Sequence, residues 1–288
     1  MIDDALQQAI ERRLSTSLAP PSAYYLPFAI DDAPVGWVAP ARAMRLAAFT
    51  GVFRMNNAVM RFVPGLEDAD QRTAAMAQVA ATLAREGALT AWRDEQYAVA
   101  PGFGAVPFFL IERAAARHFG IQTYAAHVNG LVAAGDGPRM WLARRSATKS
   151  IDPAMLDNLV GGGIASGHTV AGTVIKEAWE EAGIERAVAE RAQAFGTLRI
   201  RRDQPDGLQH ETIFVHDLWL PADFVPANQD GEAVEHRCVT LPEAARLIAL
   251  TSGPDVVTAD ASLVVADCLA RHGVVDVARL PTLAGARL

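Results

Sequence analysis

Residues 161–184 read GGGIASGHTVAGTVIKEAWEEAGI, and this stretch joins a run of glycines to a glutamate-rich helix. Glu177, Glu180 and Glu181 are spaced i, i+3 and i+4, so their three carboxylates share one face of a helix. Like charges this close repel one another, and the cation adjacent to them in sequence is Lys176. Such a cluster is tolerated where it collects divalent cations. Carboxylate oxygens are hard ligands, which predicts a site for Mg²⁺ or Mn²⁺.

The glycines before the helix, Gly162 and Gly163 among them, indicate an anion as the second ligand. A residue without a Cβ lets the backbone approach a ligand closely and offer it N–H groups. A diphosphate with its metal ion fits both halves of the stretch. For either half taken singly, a solvated glutamate face or an ordinary glycine turn is the alternative. Their combination at a fixed gap favours the metal–phosphate site.

The same residues resemble the Nudix box, G-x5-E-x7-R-E-U-x-E-E-x-G-U, in which U is aliphatic. Aligned on Gly162, the chain matches the pattern at its three glutamates and at the closing Gly183-Ile184. The resemblance implies a Nudix α/β/α sandwich with a mixed sheet. It also implies a hydrolase whose box glutamates, Glu177, Glu180 and Glu181, bind the metal.

Two positions depart from the box. His168 stands where the family has its first glutamate, and Lys176 stands where it has arginine. In the family these two residues often help to orient the loop and the helix, and the Glu–Arg ion pair cannot form here. The departures therefore concern how the loop is braced, and they leave the metal ligands in place.

Flanking segments resemble a Nudix subgroup related to the region fused to thiamine pyrophosphokinase in some eukaryotic proteins. The likeness is carried by MWLARRSATK at 140–149, MLDNLVGGG at 155–163, FAID at 28–31, VGWV at 35–38 and NQDGEAVE at 228–235. That subgroup has an N-terminal accessory domain and tolerates both departures from the box. The resemblance implies thiamine diphosphate or its oxidised analogues as substrates, giving the monophosphate and phosphate.

Length and pattern divide the chain into two domains. The 288 residues correspond to about two domains at roughly 150 residues each. Residues 1–120 predict a small α+β accessory domain, without an acid–base group or phosphate loop of its own. Residues 121–288, where the pattern changes near Tyr124, predict the Nudix domain, so the fold class is α/β with an α+β extension. Helices of the first domain are predicted over 2–18, 40–48, 68–86 and 109–119.

The catalytic roles are divided among the acids. Glu181 is the first choice as principal metal ligand, and Glu177 is one candidate for the general base. Glu232 and Glu235 are the other candidates, because the acidic turn Asp230-Gly231-Glu232 leads directly into a predicted strand. An ordinary polar turn is the alternative there. Geometry decides between the bases, since a base must reach the attacking water.

The most concentrated positive group lies just upstream of the box. Arg144, Arg145 and Lys149 are predicted to bind the substrate phosphates together with the backbone of Gly162 and Gly163, arginine by bidentate contact. A solvated loop is the alternative for at least one of the three cations.

Three aromatic residues of the first domain, Trp37, Phe53 and Tyr97, are candidates to stack on a heteroaromatic substrate. Core packing is the usual position of such residues and stays the alternative.

Charge and cysteine content restrict the partners. Lys and Arg number 26 against 33 Asp and Glu, and the net charge of −7 predicts no nucleic-acid partner and no membrane surface. A small-molecule diphosphate is the expected partner, with a homodimer as an open alternative to a monomer. Cys238 and Cys268 form no disulfide framework, and the acidic N-terminus lacks the pattern of a signal sequence. A cytoplasmic protein is expected.

Other functions stay open beside the Mg²⁺-dependent hydrolase of thiamine diphosphate. The first is hydrolysis of a nucleoside-diphosphate derivative such as ADP-ribose or NADH. The second is a non-catalytic Nudix fold that senses a ligand, which His168 and Lys176 favour and the three retained box glutamates oppose. The third is an isomerase of allylic diphosphates, for which only the distant Cys238 could be invoked.

Overall fold

The computed structural model describes residues 1–21 and 24–287. After a first helix, α1 (Asp4–Ser17), the chain builds an α+β domain on a four-stranded sheet of order β2-β1-β4-β3. Only β1 and β4 are parallel in it. The elements of this domain are β1 (Leu26–Ile30), β2 (Ala33–Val38), α2 (Pro40–Leu46), β3 (Phe53–Asn56), β4 (Val59–Phe62), α3 (Ala69–Arg85), β5 (Gln96–Val99) and β6 (Phe109–Glu112).

The core of this domain is aromatic. Phe28 lies at its centre, with the ring centroids of Phe53, Phe62, Phe109 and Phe119 between 5.2 and 6.0 Å away. Helix α3 covers this cluster with one apolar stripe, after a capping box at its start. Because Phe53 is buried in this cluster, its predicted role as a stacking surface for substrate is wrong.

The helix predicted over 109–119 is also wrong. Strand β6 takes up its first four residues and pairs with β5, Phe109 opposite Val99, and a short 3-10 helix, Arg113–Ala115, follows. Phe109 and Ile111 are buried on one face of the hairpin while Leu110 is half exposed. This alternation is the period of a strand, and a window with four apolar residues in succession conceals it.

The second domain is the α/β/α sandwich that the resemblance implies. Its mixed sheet has the order β11-β12-β7-β8-β13, with β10 added on β7 and β9 on β8; β12 and β7 are parallel. The elements are β7 (Gln122–Val132), β8 (Arg139–Arg145), β9 (Leu156–Asn158), β10 (Val160–Gly163), α4 (Val170–Ala182), α5 (Arg186–Ala189), β11 (Gln193–Gln204), β12 (Gly207–Leu220), β13 (Ala233–Thr240), α6 (Leu241–Ile248), α7 (Ala259–Arg271) and α8 (Pro281–Ala286).

Alternating residues of the sheet point to opposite faces and pack in two separate cores. Ile213 and Val215 of β12 face α6, α7 and α8, whereas Phe214 between them faces the side of α4. Helix α1 joins the first of these layers, because Ile10 and Leu14 are fully buried among the same helices. By packing, the first helix therefore belongs with the sandwich although it precedes the α+β domain in the chain.

The two domains are joined by defined contacts. Phe103 packs on Tyr124 and Phe214, at centroid distances of 5.0 and 4.9 Å. Leu208 N donates a 2.9 Å hydrogen bond to Arg117 O, where Gly207 has a positive φ of 145° and leaves no space for a Cβ. These contacts hold the two domains against each other. In the described part of the chain, no helix combines the length and the apolar character that crossing a membrane requires.

Candidate functional site

The glutamate-bearing helix, α4, is held at both ends by local signals. Thr169 caps its start by accepting a 3.0 Å hydrogen bond from Gly172 N, and Gly183 ends it in the left-handed conformation, with φ 64°. Val174, Ala178 and Ala182 face the sheet and are buried. This packing turns the acidic face of α4 toward the glycine strand β10.

Glu181 lies deepest of the three box glutamates. One of its carboxylate oxygens accepts a 2.8 Å hydrogen bond from Gly161 N. Burial, together with the neighbouring charge of Glu177, raises the pKa of Glu181 well above its usual range. A carboxylate placed there needs a cation to be stable, which is the property expected of a metal ligand.

Glu177 and Glu180 are bridged by Lys176. The Lys176 ammonium lies 3.0 Å from Glu177 Oε1 and 2.8 Å from Glu180 Oε2. Burial raises the pKa of Glu177, so the ammonium offsets only part of the cost of this cluster. Three hard-oxygen donors on one helix face, with a shortage of positive charge, fit a divalent cation.

Gly162 is required by the position of Glu177. A methyl group built on Gly162 would lie 2.4 Å from the carboxyl carbon of Glu177. We expect Gly162→Ala to displace this carboxylate and to lower kcat about 100-fold, since a shift near 1 Å can have that effect. Steady-state phosphate release with Mg²⁺ measures it.

The matched control is Gly135→Ala, because a Cβ at Gly135 meets nothing within 4 Å. Both variants should retain the wild-type melting temperature to within a few degrees. Equal turnover of Gly162→Ala and Gly135→Ala would show that the placement of Glu177 does not matter.

The box opens on a cleft of about 610 Å³ between the two domains. This volume is typical of small-molecule sites. Six cationic side chains line it, namely Arg93, Arg113, Arg117, Arg145, Lys149 and Lys176, against eight acidic ones, namely Glu95, Asp152, Glu177, Glu180, Asp206, Glu211, Asp230 and Glu232. The excess of acids means that an anionic ligand would enter together with cations.

Glu232 is one of the acids in the cleft, and it joins the two domains. Its carboxylate contacts the Lys149 ammonium and lies 3.2 Å from Arg93 NH1. Burial acts to raise the pKa of Glu232, but the hydrogen bond and charge of Lys149 outweigh it, and Arg93 adds to them, so the pKa lies below its usual range. Glu232 is thus ionised at neutral pH, as a base or metal ligand must be, and its catalytic role stays a prediction.

The predicted cationic group is divided by the structure. Arg145 lines the cleft, where its guanidinium lies 2.8 Å from Asp157 and also binds the carbonyls of Ile151 and Asp152, and Lys149 lines the cleft beside Glu232. Arg144 instead makes 2.6 Å ion pairs with Glu235 and Asp255 and also binds two backbone carbonyls. Arg144 and Glu235 thus neutralise each other. The ion pair explains why Arg144 is not available as the predicted phosphate ligand and Glu235 is not available as the predicted base.

The segment around residues 228–232 reaches the cleft because it docks on α4. Ala227 N donates to Ala182 O at 3.0 Å, and Gln229 N donates to Glu180 O at 2.7 Å. These bonds satisfy carbonyls at the end of the helix. They bring the acidic turn, which sequence had singled out, to the same end of the cleft as the box.

The sequence pattern does not indicate that the α+β domain forms one wall of the cleft. Arg93, Glu95, Tyr97, Arg113 and Arg117 of that domain line the cleft. They are spread over loops, the strand β5 and the 3-10 helix after β6 without a motif, so no local pattern indicates them. Of the aromatic candidates, only Tyr97 reaches the cleft, where its hydroxyl packs against Gly163, whereas Trp37 lies under the Arg201 guanidinium at 5.0 Å.

Comparison with known proteins agrees with this geometry. A NUDIX domain model matches residues 123–260, and a domain of unknown function, DUF4743, matches residues 8–123. Nudix hydrolase 20 of Arabidopsis thaliana, described as chloroplastic, is 38% identical over 258 residues, which are 86% of this chain and 68% of the relative. Nudix hydrolase 24, also chloroplastic, is 36% identical over 255 residues, 87% and 68% of the two chains.

Among solved structures, DR0079 from Deinococcus radiodurans aligns with 51% of this chain and 82% of its own, at 23% identity and a TM-score of 0.40. The matches to these two relatives and to the domain model settle the classification. The chain belongs to the Nudix hydrolase family and is a hydrolase acting on diphosphate-containing substrates.

Proposed function

We propose that this chain hydrolyses the diphosphate of a small soluble substrate with Mg²⁺, by attack of water on phosphorus. The observation that carries the proposal is the glutamate cluster on α4, in which Glu177 and Glu180 line a cleft of about 610 Å³ and Glu181 lies buried next to them against Gly161. Nudix hydrolases generally use divalent cations, and oxygen ligands of this kind suit Mg²⁺. When bound, the metal would neutralise phosphate charge and lower the pKa of an attacking water.

The chain's own residues hold and orient the reactants. Glu177, Glu180 and Glu181 would hold the metal, and the backbone of Gly162 and Gly163 would let the diphosphate approach closely. Lys149 and Arg145 would bind phosphate oxygens. Glu232, next to Lys149, is the candidate base, with Glu177 as its alternative.

Thiamine diphosphate, or an oxidised analogue, is our proposal for the substrate. The eight acids of the cleft outnumber its six cations, and this favours a diphosphate whose organic end is cationic. Hydrolysis would add one water and release the monophosphate and phosphate. A nucleoside-diphosphate derivative, whose organic end is not cationic, is the alternative.

A hydrolysis screen with Mg²⁺ tests the proposal, with the products separated by chromatography, because cleavage of ADP-ribose or NADH at the diphosphate gives two organic monophosphates and no free phosphate. It compares thiamine diphosphate and its oxo analogues with ADP-ribose, NADH and nucleoside triphosphates, and chelation of the metal is the blank. We expect the turnover of the thiamine compounds to be at least about tenfold higher than that of the others, because a hydrogen bond to a charged group contributes about 1.5–3 kcal/mol. Preference for ADP-ribose would overturn the thiamine assignment, and absence of turnover on every compound would overturn the hydrolase function as proposed.

A further inference from the structure

Arg113 brings a guanidinium of the α+β domain to the floor of the cleft. It follows β6 directly and begins the 3-10 helix Arg113–Ala115. A methyl group built on Gly163 would lie 3.7 Å from Arg113 Cζ and 2.0 Å from the Tyr97 hydroxyl oxygen. The guanidinium therefore lies beside the glycine strand, one residue from the position that packs against Glu177.

The guanidinium is held in place before any ligand arrives. Arg113 NH1 donates a 2.6 Å hydrogen bond to Glu95 Oε2, and Cζ lies 5.8 Å from the centre of the Tyr97 ring. In the described part of the chain its hydrogen-bond partner is Glu95, so most of its five N–H donors stay available to a ligand. About 38% of the side chain is exposed, on the side of the cleft.

The segment that holds Arg113 also holds the glycine loop. Gln96 O accepts a 2.8 Å hydrogen bond from Ser166 N, and Tyr97 packs against Gly163. With His168 and Lys176 at two box positions, the loop lacks the Glu–Arg pair that often orients it. Contact with β5 replaces that bracing and keeps Arg113 in a fixed position relative to the box.

We propose that Arg113 binds the substrate diphosphate, so that the α+β domain supplies part of the phosphate site. This inference rests on the proposed function and names a residue outside the Nudix domain for it. A guanidinium matches two phosphate oxygens at once, and a charge already fixed by Glu95 and Tyr97 requires no reorganisation on binding. It also offsets the acidic excess of the cleft where the phosphate charge would lie.

The test compares Arg113→Gln and Arg113→Lys with Arg45→Gln. Arg45 is a matched control in the same domain, because it is paired with Glu86, lies 4.7 Å above the ring of Phe49 and is similarly exposed. Calorimetric titration with the non-hydrolysable methylenediphosphonate, in the presence of Mg²⁺, measures phosphate binding. Titration with Mn²⁺ and no phosphonate measures metal binding.

We expect Arg113→Gln to weaken methylenediphosphonate binding about 10- to 100-fold, as the loss of a charge-assisted bidentate contact should. Arg113→Lys should bind more tightly than Arg113→Gln but less tightly than the wild type, because lysine keeps the positive charge but lacks the planar, bidentate donors of arginine. Mn²⁺ affinity and melting temperature should stay at the wild-type values in all three variants.

Two results would overturn the inference: methylenediphosphonate affinity of Arg113→Gln equal to that of wild type and Arg45→Gln, or absence of binding to the wild type. A wild type that binds the phosphonate through Arg113 but hydrolyses nothing in the screen would overturn the proposed function alone. Hydrolysis that is unchanged in Arg113→Gln would overturn the inference alone.

Discussion

Glu181→Gln is expected to abolish Mg²⁺-dependent phosphate release while the fold is retained. Glu181 is the most buried of the box carboxylates, and its charge is the one that most needs a cation. Loss of residues that merely support metal ligands costs 10- to 100-fold in affinity or activity, so loss of a ligand charge should lower kcat/KM by more than about 100-fold.

The same substitution should not destabilise the metal-free protein. The glutamine oxygen can still accept the hydrogen bond from Gly161 N, which is 2.8 Å long in the wild type. Removing a charge from a buried site lowers a desolvation cost. The melting temperature without metal should therefore equal or exceed that of the wild type, and the increase that Mg²⁺ gives by binding the native state should be lost.

Glu190→Gln serves as the control, because Glu190 is exposed and paired with Arg186 on the neighbouring helix α5. It should change neither turnover nor the stabilisation by Mg²⁺. Full Mg²⁺-dependent turnover of Glu181→Gln would remove Glu181 from the role of principal ligand. A collapse of its melting temperature without metal would show that the carboxylate is structural.

The sequence predicts well whatever is decided within a single helix or turn. Helix α4 begins after Thr169 and ends at Gly183, and both residues are local signals that need no tertiary partner. The shared face of the three glutamates follows from the helix itself. The hairpin of β1 and β2 is likewise local, since two apolar runs flank the turn at Asp31-Asp32.

What depends on contact with another segment could not be predicted. Residues 109–112 are a strand because β5 lies beside them, and this pairing in turn places Arg113 at the cleft. Arg144 and Lys149 look equivalent in sequence, yet Glu235 and Asp255 engage the first while the second lines the cleft. Both outcomes are set by contacts with other segments of the chain, which the pattern within one element does not contain.

Asp217, far from the cleft, is where we expect the largest effect on stability. Asp217→Ala should lower the free energy of unfolding by about 3 kcal/mol, the lower end of the range for one partner of a buried ion pair. Arg271 contacts both carboxylate oxygens of Asp217, and Asn129 Nδ2 donates to one of them at 2.9 Å. Arg271 also binds Asp267 and is 19% exposed, which reduces the cost of losing one partner.

Denaturant unfolding measures this loss, with Asp136→Ala as the control. Asp136 forms an ion pair of similar length, 3.1 Å, with Arg139, but its side chain is 61% exposed. Because water screens such a pair, Asp136→Ala should cost less than about 1 kcal/mol. Equal losses of unfolding free energy in the two variants would show that burial of the Asp217 ion pair does not increase its contribution to stability.

The position of Asp217 also decides how a second group of metal-ligand side chains is to be understood. The donor atoms of Asp217, Cys268 and His272 lie within 4.8 Å of one another, a spacing that a metal ion could use. The Arg271 guanidinium already supplies the positive charge there, and it would have to leave before a cation could bind. We therefore expect Zn²⁺ to leave the melting temperature of the wild type unchanged. A Zn²⁺-dependent rise that Asp217→Ala abolishes would contradict an ion-pair role and assign the three side chains to a metal.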